Sequence, residues 1–210
     1  MYRKMCLLML APYLSGCTAF LVPATDDPDK KLSQAYQLLS VYRPRPARRL
    51  IDESIEIYKQ QGNTEKLAYA YLVSTDYYRY IASDEYRNFN PEPTAYVKPI
   101  PRQSIYGVRT ERVLAAHELA EKTYKQVIAD AVAANDNRKA LYNYDWLVVL
   151  YGRNAQKREA CDTLDQELTL YNNLPPAAKP DLEVLVDKSK YSSVADVIEH
   201  AKKDHHCNEP

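Results

Sequence analysis

The sequence predicts an all-α fold built from antiparallel helix pairs. Glycine, which favours turns, occurs 4 times in 210 residues, whereas good helix formers such as Ala, Leu, Lys, Glu and Gln are abundant. Apolar residues recur every three or four positions through most of the chain, which is the spacing of one helix face. Short polar or proline-containing segments separate these stretches, so we expect consecutive helices to lie antiparallel.

Three helices are predicted in the first part of the chain. Asp27-Pro28 has the form of an N-cap followed by proline at the first helical position, and two prolines after Tyr42 end this helix. A second helix begins near Pro46 and ends before Gly62-Asn63, and Thr64 caps a third. The apolar positions of the three helices include Leu32, Ala35, Leu39, Leu50, Ile51, Ile55, Tyr58, Leu67, Ala70, Tyr71, Tyr77, Tyr78 and Ile81.

The segment 88–107 interrupts the helical pattern. It contains Pro91, Pro93, Pro99 and Pro101, and proline both removes a backbone donor and clashes with the preceding helical turn. A connection of about 20 residues is long for a compact domain. Because neither flanking half alone has much of a core, we predict a proline-rich insertion on the surface of one domain and not a linker between two.

Five further helices are predicted after the insertion. Thr110 begins the longest, which ends near 135–137, and the next helix ends at Gly152. Its successor ends at Leu174, before two prolines. The tail contains a predicted helix over 181–188 and another after Ser193.

A shift of 73 residues superposes two of the predicted helices. The motif Lys-x-x-Tyr-x-Tyr occurs at 66–71 and again at 139–144, and the same shift carries Tyr78 onto Tyr151. Each motif follows a polar turn and a preceding helix. Such recurrence of a helix–turn–helix unit is typical of helical solenoids.

The segments 45–80 and 137–171 resemble the tetratricopeptide repeat. In the first, a helix ends in Ile-Tyr-Lys-Gln-Gln-Gly-Asn, and the second places Trp146 and Leu147 near the family's aromatic-leucine position and Ala160 near its small packing position. The resemblance covers about half of the chain and implies a short solenoid that binds a protein partner in a concave groove. The period is not sustained through the insertion, so a generic helical bundle is the alternative.

The first 17 residues have the layout of a secretory signal. Arg3-Lys4 precedes a short apolar run, and small residues follow it. The ending Leu14-Ser15-Gly16-Cys17 resembles the lipobox of bacterial lipoproteins, which implies removal of residues 1–16 and a lipid on Cys17. The run of about 12 residues is too short for a membrane-spanning helix.

The lipobox resemblance also implies a location. Asp after the lipidated cysteine tends to retain such lipoproteins at the inner membrane, so Thr18 indicates the periplasmic face of the outer membrane. Residues 17–27 are predicted to form a tether and 28–210 a single helical domain. We expect no cofactor other than the covalent lipid.

Net charge argues against nucleic acid as a partner. Basic and acidic residues number 28 each, whereas nucleic-acid binding needs a basic face. A protein partner is the expectation, and tyrosine suits such an interface because it combines a large apolar ring with one hydroxyl. The candidate contact residues are Tyr69, Tyr77, Tyr80, Tyr142 and Tyr144. The alternative for each of them is a place in the core.

The remaining cysteines suggest a disulfide. After loss of Cys6 with the signal, Cys161 and Cys207 are the two thiols besides Cys17, and an oxidising periplasm favours their pairing. Cys161 lies on an apolar stripe, so a buried free thiol is the alternative. His200, His205 and His206 near Cys207 lack a second ordered pair of ligands, and we expect no metal site.

Catalysis is not expected. The sequence contains no Gly-x-Ser-x-Gly, no phosphate-binding glycine loop and no His-Glu-x-x-His. We expect an anchored lipoprotein that binds another protein. One hypothesis is an immunity protein that occludes a secreted antibacterial toxin of the type VI phospholipase class. The alternative is a scaffold or assembly subunit of a cell-envelope machine, and both rest on analogy with repeat-type and immunity lipoproteins.

Overall fold

A computed structural model describes residues 23–83, 106–184 and 186–207. These residues form eight α-helices and one turn of 3-10 helix and contain no β-strand. The predicted all-α fold is confirmed. The helices are α1 (Pro28–Ser40), α2 (Pro44–Gln60), α3 (Thr64–Ala82), α4 (Glu111–Ala133), α5 (Asn137–Arg153), α6 (Lys157–Asn173), α7 (Lys179–Glu183) and α8 (Val194–Asp204), and the 3-10 turn spans Pro176–Ala178.

The helices form two layers. From α1 to α6 each helix packs against the next in sequence, and α8 packs against α6. In addition α1 contacts α3, and α3 contacts α5. We therefore call α1, α3 and α5 the inner layer and α2, α4 and α6 the outer layer. In a solenoid each repeated unit contacts only the units next to it, and these helix pairs are arranged in that way.

The 73-residue shift relates α3 to α5 in the structure. Gly62 and Asn135 precede the two helices and both adopt left-handed backbone, with φ of 64° and 55°. The next residues, Asn63 and Asp136, each accept a hydrogen bond at 3.1 Å from the backbone N–H three positions later. The same turn and the same N-cap therefore begin both inner helices.

Two predicted helix starts differ from the structure by one or two residues. α2 begins at Pro44 and not near Pro46, because the fixed φ of proline suits the first helical position. The N-cap of α3 is Asn63, and Thr64 is its first helical residue.

Gly152 does not end α5. The helix continues through Arg153, and Ala155 provides the left-handed residue of the following turn, with φ of 54°. A Cβ atom at Gly152 would lie 2.8 Å from Cε1 of His205. The glycine therefore allows the end of the chain to pack against α5.

The helix predicted over 181–188 is present only in part, because α7 spans Lys179–Glu183. α7 ends at Glu183, and the Asp187 carboxylate accepts hydrogen bonds from the backbone N–H and the hydroxyl of Ser189, at 3.1 and 2.7 Å. Such local side-chain bonds stabilise turns in place of helix. The predicted helix after Ser193 is confirmed as α8, and the Ser193 hydroxyl caps it by accepting from the N–H of Asp196 at 3.2 Å.

The proline-rich insertion lies outside the described residues except for its last two. Tyr106 lies under the guanidinium of Arg153, with 5.7 Å from Cζ to the ring centroid. The N–H of Gly107 donates to the Arg153 carbonyl oxygen at 3.0 Å. The chain thus re-enters the described fold against the end of α5.

Candidate functional site: the inner groove

A groove of about 700 Å³ lies on the inner layer, and we call it the inner groove. α1, α3 and α5 supply most of its lining, and Tyr124 of α4 reaches it from the outer layer. Its lining combines aromatic rings with charged and amide side chains. The lining includes Asp29, Tyr36, Glu65, Lys66, Tyr69, Tyr124, Tyr142, Asn143 and Trp146.

Three aromatic rings form one wall of the inner groove. The ring centroid of Trp146 lies 5.1 Å from that of Tyr69 and 6.3 Å from that of Tyr142, and both contacts are edge-to-face. Edge-to-face packing is a preferred aromatic geometry and holds the rings in place. Tyr142 keeps 51% of its surface exposed, so this wall presents apolar area to a partner.

Ion pairs at equivalent positions connect neighbouring inner helices at the groove. Lys66 Nζ lies 3.0 Å from Asp29 of α1, and Lys139 Nζ lies 3.6 Å from Glu65 of α3. Partial burial acts to raise the pKa of Asp29, but the hydrogen bonds from Tyr58 and Lys66 lower it overall. Asp29 is therefore ionised and paired with Lys66 at neutral pH.

Two buried polar atoms of the groove lack hydrogen-bond partners among the described residues. Tyr124 is 1% exposed and its hydroxyl is unpaired; Asn143 is fully buried and its side-chain oxygen is unpaired. The Asn143 amide nitrogen donates to the Lys139 carbonyl oxygen at 2.8 Å, which fixes the orientation of the side chain. Unsatisfied buried polar groups cost free energy.

A buried charge network holds Tyr36 on the groove wall. The Asp76 carboxylate accepts from the Tyr36 hydroxyl at 2.8 Å, from Arg153 at 2.5 Å and from Arg79 at 3.0 Å. Arg79, which is fully buried, also donates to Asn154 at 3.4 Å. Burial lowers the pKa of Arg79 and raises that of Tyr36, where the nearby Asp76 charge acts in the same direction. The network links α1, α3 and α5 beneath the groove.

The structure separates the five tyrosines proposed from the sequence. Tyr69 and Tyr142 line the inner groove. Tyr77 and Tyr80 are 9% and 4% exposed and belong to the core, so the prediction that they present a contact surface is corrected. Tyr144 is half-buried in a cleft between α4, α5 and α6. The pattern alone did not distinguish inner from outer positions, because tyrosines occur on several faces of α3 and α5.

Several groove residues were not among the sequence-based candidates. Trp146 entered the prediction only through the repeat resemblance, and no contact role was predicted for Tyr36, Tyr124 or Asn143. Asp76 was missed because nothing in the sequence reveals which cations surround a carboxylate. The 73-residue shift was the sequence signal that indicated groove residues, because it relates Tyr69 to Tyr142 and both line the groove.

Cys161 and Cys207 form a disulfide, with an S–S distance of 2.05 Å and a Cα–Cα distance of 5.5 Å. Cys17, the predicted lipid site, lies outside the described residues. Within 23–83, 106–184 and 186–207 there is no group of three or more His, Cys, Asp or Glu side chains that could hold a metal ion. No helix in these ranges has both the length and the apolar character needed to cross a membrane.

Compared with known proteins, the chain matches no protein-family model and no curated protein sequence. The geometry of the inner groove is therefore the basis for the function proposed below.

Proposed function

We propose that the inner groove binds an extended segment of a protein partner, and that the chain acts as a lipid-anchored binding module. The observation that carries this proposal is the groove wall of edge-to-face rings at Tyr69, Trp146 and Tyr142, in which Tyr142 keeps 51% of its surface exposed. Aromatic rings supply contact area at low entropic cost. The exposed polar side chains of Ser33 and Gln37 in the same lining could pair with the N–H and C=O groups of an extended peptide.

The proposed partner is a secreted antibacterial toxin of the phospholipase type, which the chain would neutralise by occlusion. This part of the proposal rests on the resemblance to anchored lipoproteins. A lipid on Cys17 would hold the groove at the periplasmic face of the outer membrane, where an incoming toxin acts. The hypothesis predicts a toxin gene beside the gene for this chain, and viable cells when both genes are deleted.

Two surface variants with matched exposure test groove binding. Tyr142, on the groove wall, is 51% exposed, and Leu119, on outer helix α4, is 49% exposed. We expect Tyr142→Ala to weaken partner binding by about 30-fold, because central interface aromatics often contribute about 2 kcal/mol. Leu119→Ala should bind as the wild type does. The measurement is calorimetric affinity for the partner recovered with the full chain from envelope extracts.

Three outcomes would contradict the proposal. They are equal affinity of both variants, loss of binding in Leu119→Ala alone, and recovery of no partner at all. Recovery of an envelope-machine subunit that binds through Tyr142 would support groove binding and reject the toxin.

A further inference from the structure

A second pocket lies at the C-terminal end of the described fold, and we call it the terminal pocket. Its volume is about 400 Å³, within the range of small-molecule sites. α5, α6, α7, α8 and the segment before α8 surround it. The apolar part of its lining consists largely of Leu141, Leu182, Val186, Val194, Val197 and Ile198.

One buried carboxylate in this lining lacks a counter-charge. Glu167 of α6 is 2% exposed, and its Oε2 has no hydrogen-bond partner among the described residues. Burial, and then the charge of nearby Asp145, raise the pKa of Glu167. Asp145 lines the same pocket from α5 and is exposed to solvent. The raised pKa of about 9 keeps Glu167 protonated at neutral pH, so a cation bound beside it would displace that proton and take its place as the neutralising charge.

The other charged groups of the pocket do not neutralise Glu167. Arg138 lines the pocket but is exposed, and no ion pair between it and Glu167 occurs in the described residues. Asp187, also exposed, pairs with Lys190 at 3.6 Å and accepts hydrogen bonds from Ser189.

We propose that the terminal pocket binds an alkylammonium or guanidinium group carried on an apolar stem, with Glu167 as its counter-charge and Asp145 as a second acid. The apolar lining would bury the stem, and the ammonium would supply the donors that Oε2 lacks. A free amine and a lysine or arginine side chain of another protein share this chemistry. The proposal does not depend on the inner groove, although Tyr142 lines both sites.

The test compares charged and neutral probes of equal length. Hexylamine and hexanol would be titrated calorimetrically into the purified full chain and into Glu167→Gln. We expect hexylamine to bind the wild type about 10- to 100-fold more tightly than hexanol, since hydrogen bonds to charged groups are the stronger ones. Glu167→Gln should remove this preference while leaving hexanol affinity within about twofold. Asp181→Asn, at an exposed acid of α7 that does not line the pocket, is the control and should retain the preference.

Capped lysine and capped norleucine distinguish the source of the cation. Binding of capped lysine and not capped norleucine supports a protein side chain, whereas binding of hexylamine alone supports a free amine. Val197→Phe, which would fill the apolar part of the pocket, should weaken all probes, and a thermal melt would confirm that each variant is folded. No hexylamine binding to the wild type at millimolar concentration, equal binding of hexanol, or unchanged hexylamine affinity in folded Glu167→Gln would overturn the proposal.

Discussion

The carboxylate of Asp76 receives hydrogen bonds from side chains of α1, α3 and α5. Its removal would leave the fully buried Arg79 guanidinium without its counter-charge, which is more costly than loss of a surface pair. We expect Asp76→Asn to lower the free energy of unfolding by about 3–5 kcal/mol, measured by urea denaturation.

Asp52→Asn is the control for Asp76→Asn. Asp52 pairs with Arg48 four residues earlier on α2, and its side chain is 49% exposed. An exposed pair of this spacing contributes about 0.5 kcal/mol or less. Similar unfolding free energies for the two variants would contradict the role assigned to Asp76.

His117 makes stability dependent on pH. The residue is 4% exposed, both ring nitrogens lack hydrogen-bond partners among the described residues, and burial lowers its pKa, with the Glu121 charge partly opposing the shift. The folded protein therefore binds a proton on His117 less tightly than the unfolded chain, whose ordinary value is 6.5. The contribution of neutral His117 to the free energy of unfolding is fully present above pH 6.5, and it is lost as the pH falls below that value.

The matched variant for this prediction is His117→Leu. Between pH 7 and pH 5, the wild type should lose more unfolding free energy than His117→Leu, by about 1 kcal/mol for each unit of pKa depression within that range. Chemical denaturation at both pH values measures the difference. Equal losses in the two proteins would show that His117 does not titrate as described.

The Cys161–Cys207 disulfide attaches the end of α8 to α6 and closes a loop with a sequence separation of 46 residues. A disulfide that closes a loop of this size typically raises the free energy of unfolding by about 2–4 kcal/mol, mainly because it restricts the unfolded chain. We expect the double variant Cys161→Ala/Cys207→Ala to lose that amount of unfolding free energy. The reduced wild type should have the same unfolding free energy as the variant, and reductant should not change the unfolding free energy of the variant. A variant as stable as the oxidised wild type would contradict this.

At the level of helices, much of the order could be predicted from the sequence. The prolines, the turn residues and the 3–4 spacing located most helix starts, because these signals act locally. The helix predicted over 181–188 ends at Glu183, because Asp187 and Ser189 form a turn through their side chains. Gly152 was misinterpreted because its close neighbour, His205, is distant in sequence.

For the whole molecule, the sequence predicted repeated helix pairs but only part of the candidate groove. The 73-residue shift identified α3 and α5 as equivalent helices, and it pointed to Tyr69 and Tyr142. Tyr36 and Tyr124 come from other helices, and their place in the groove depends on how the layers pack. Such long-range contacts leave no local pattern in a single sequence.

The predicted lipid on Cys17 would attach the whole molecule to the membrane. Cys17 lies outside the described residues, and the lipobox resemblance is the basis for its predicted lipid. We expect Cys17→Ser to leave the helical domain folded and to move the protein from the membrane fraction to the soluble fraction, because the proposed lipid is the anchor. A variant that stays with membranes after a salt wash would contradict this prediction.

Site-specific photo-crosslinking in living cells tests groove binding most directly. A photoreactive phenylalanine derivative would replace Tyr142 in one strain and Leu119 in another, two positions with exposed fractions of 51% and 49%. The proposal predicts a discrete crosslinked protein from position 142 and none from position 119. The same product from both positions, or a product from position 119 alone, would contradict it.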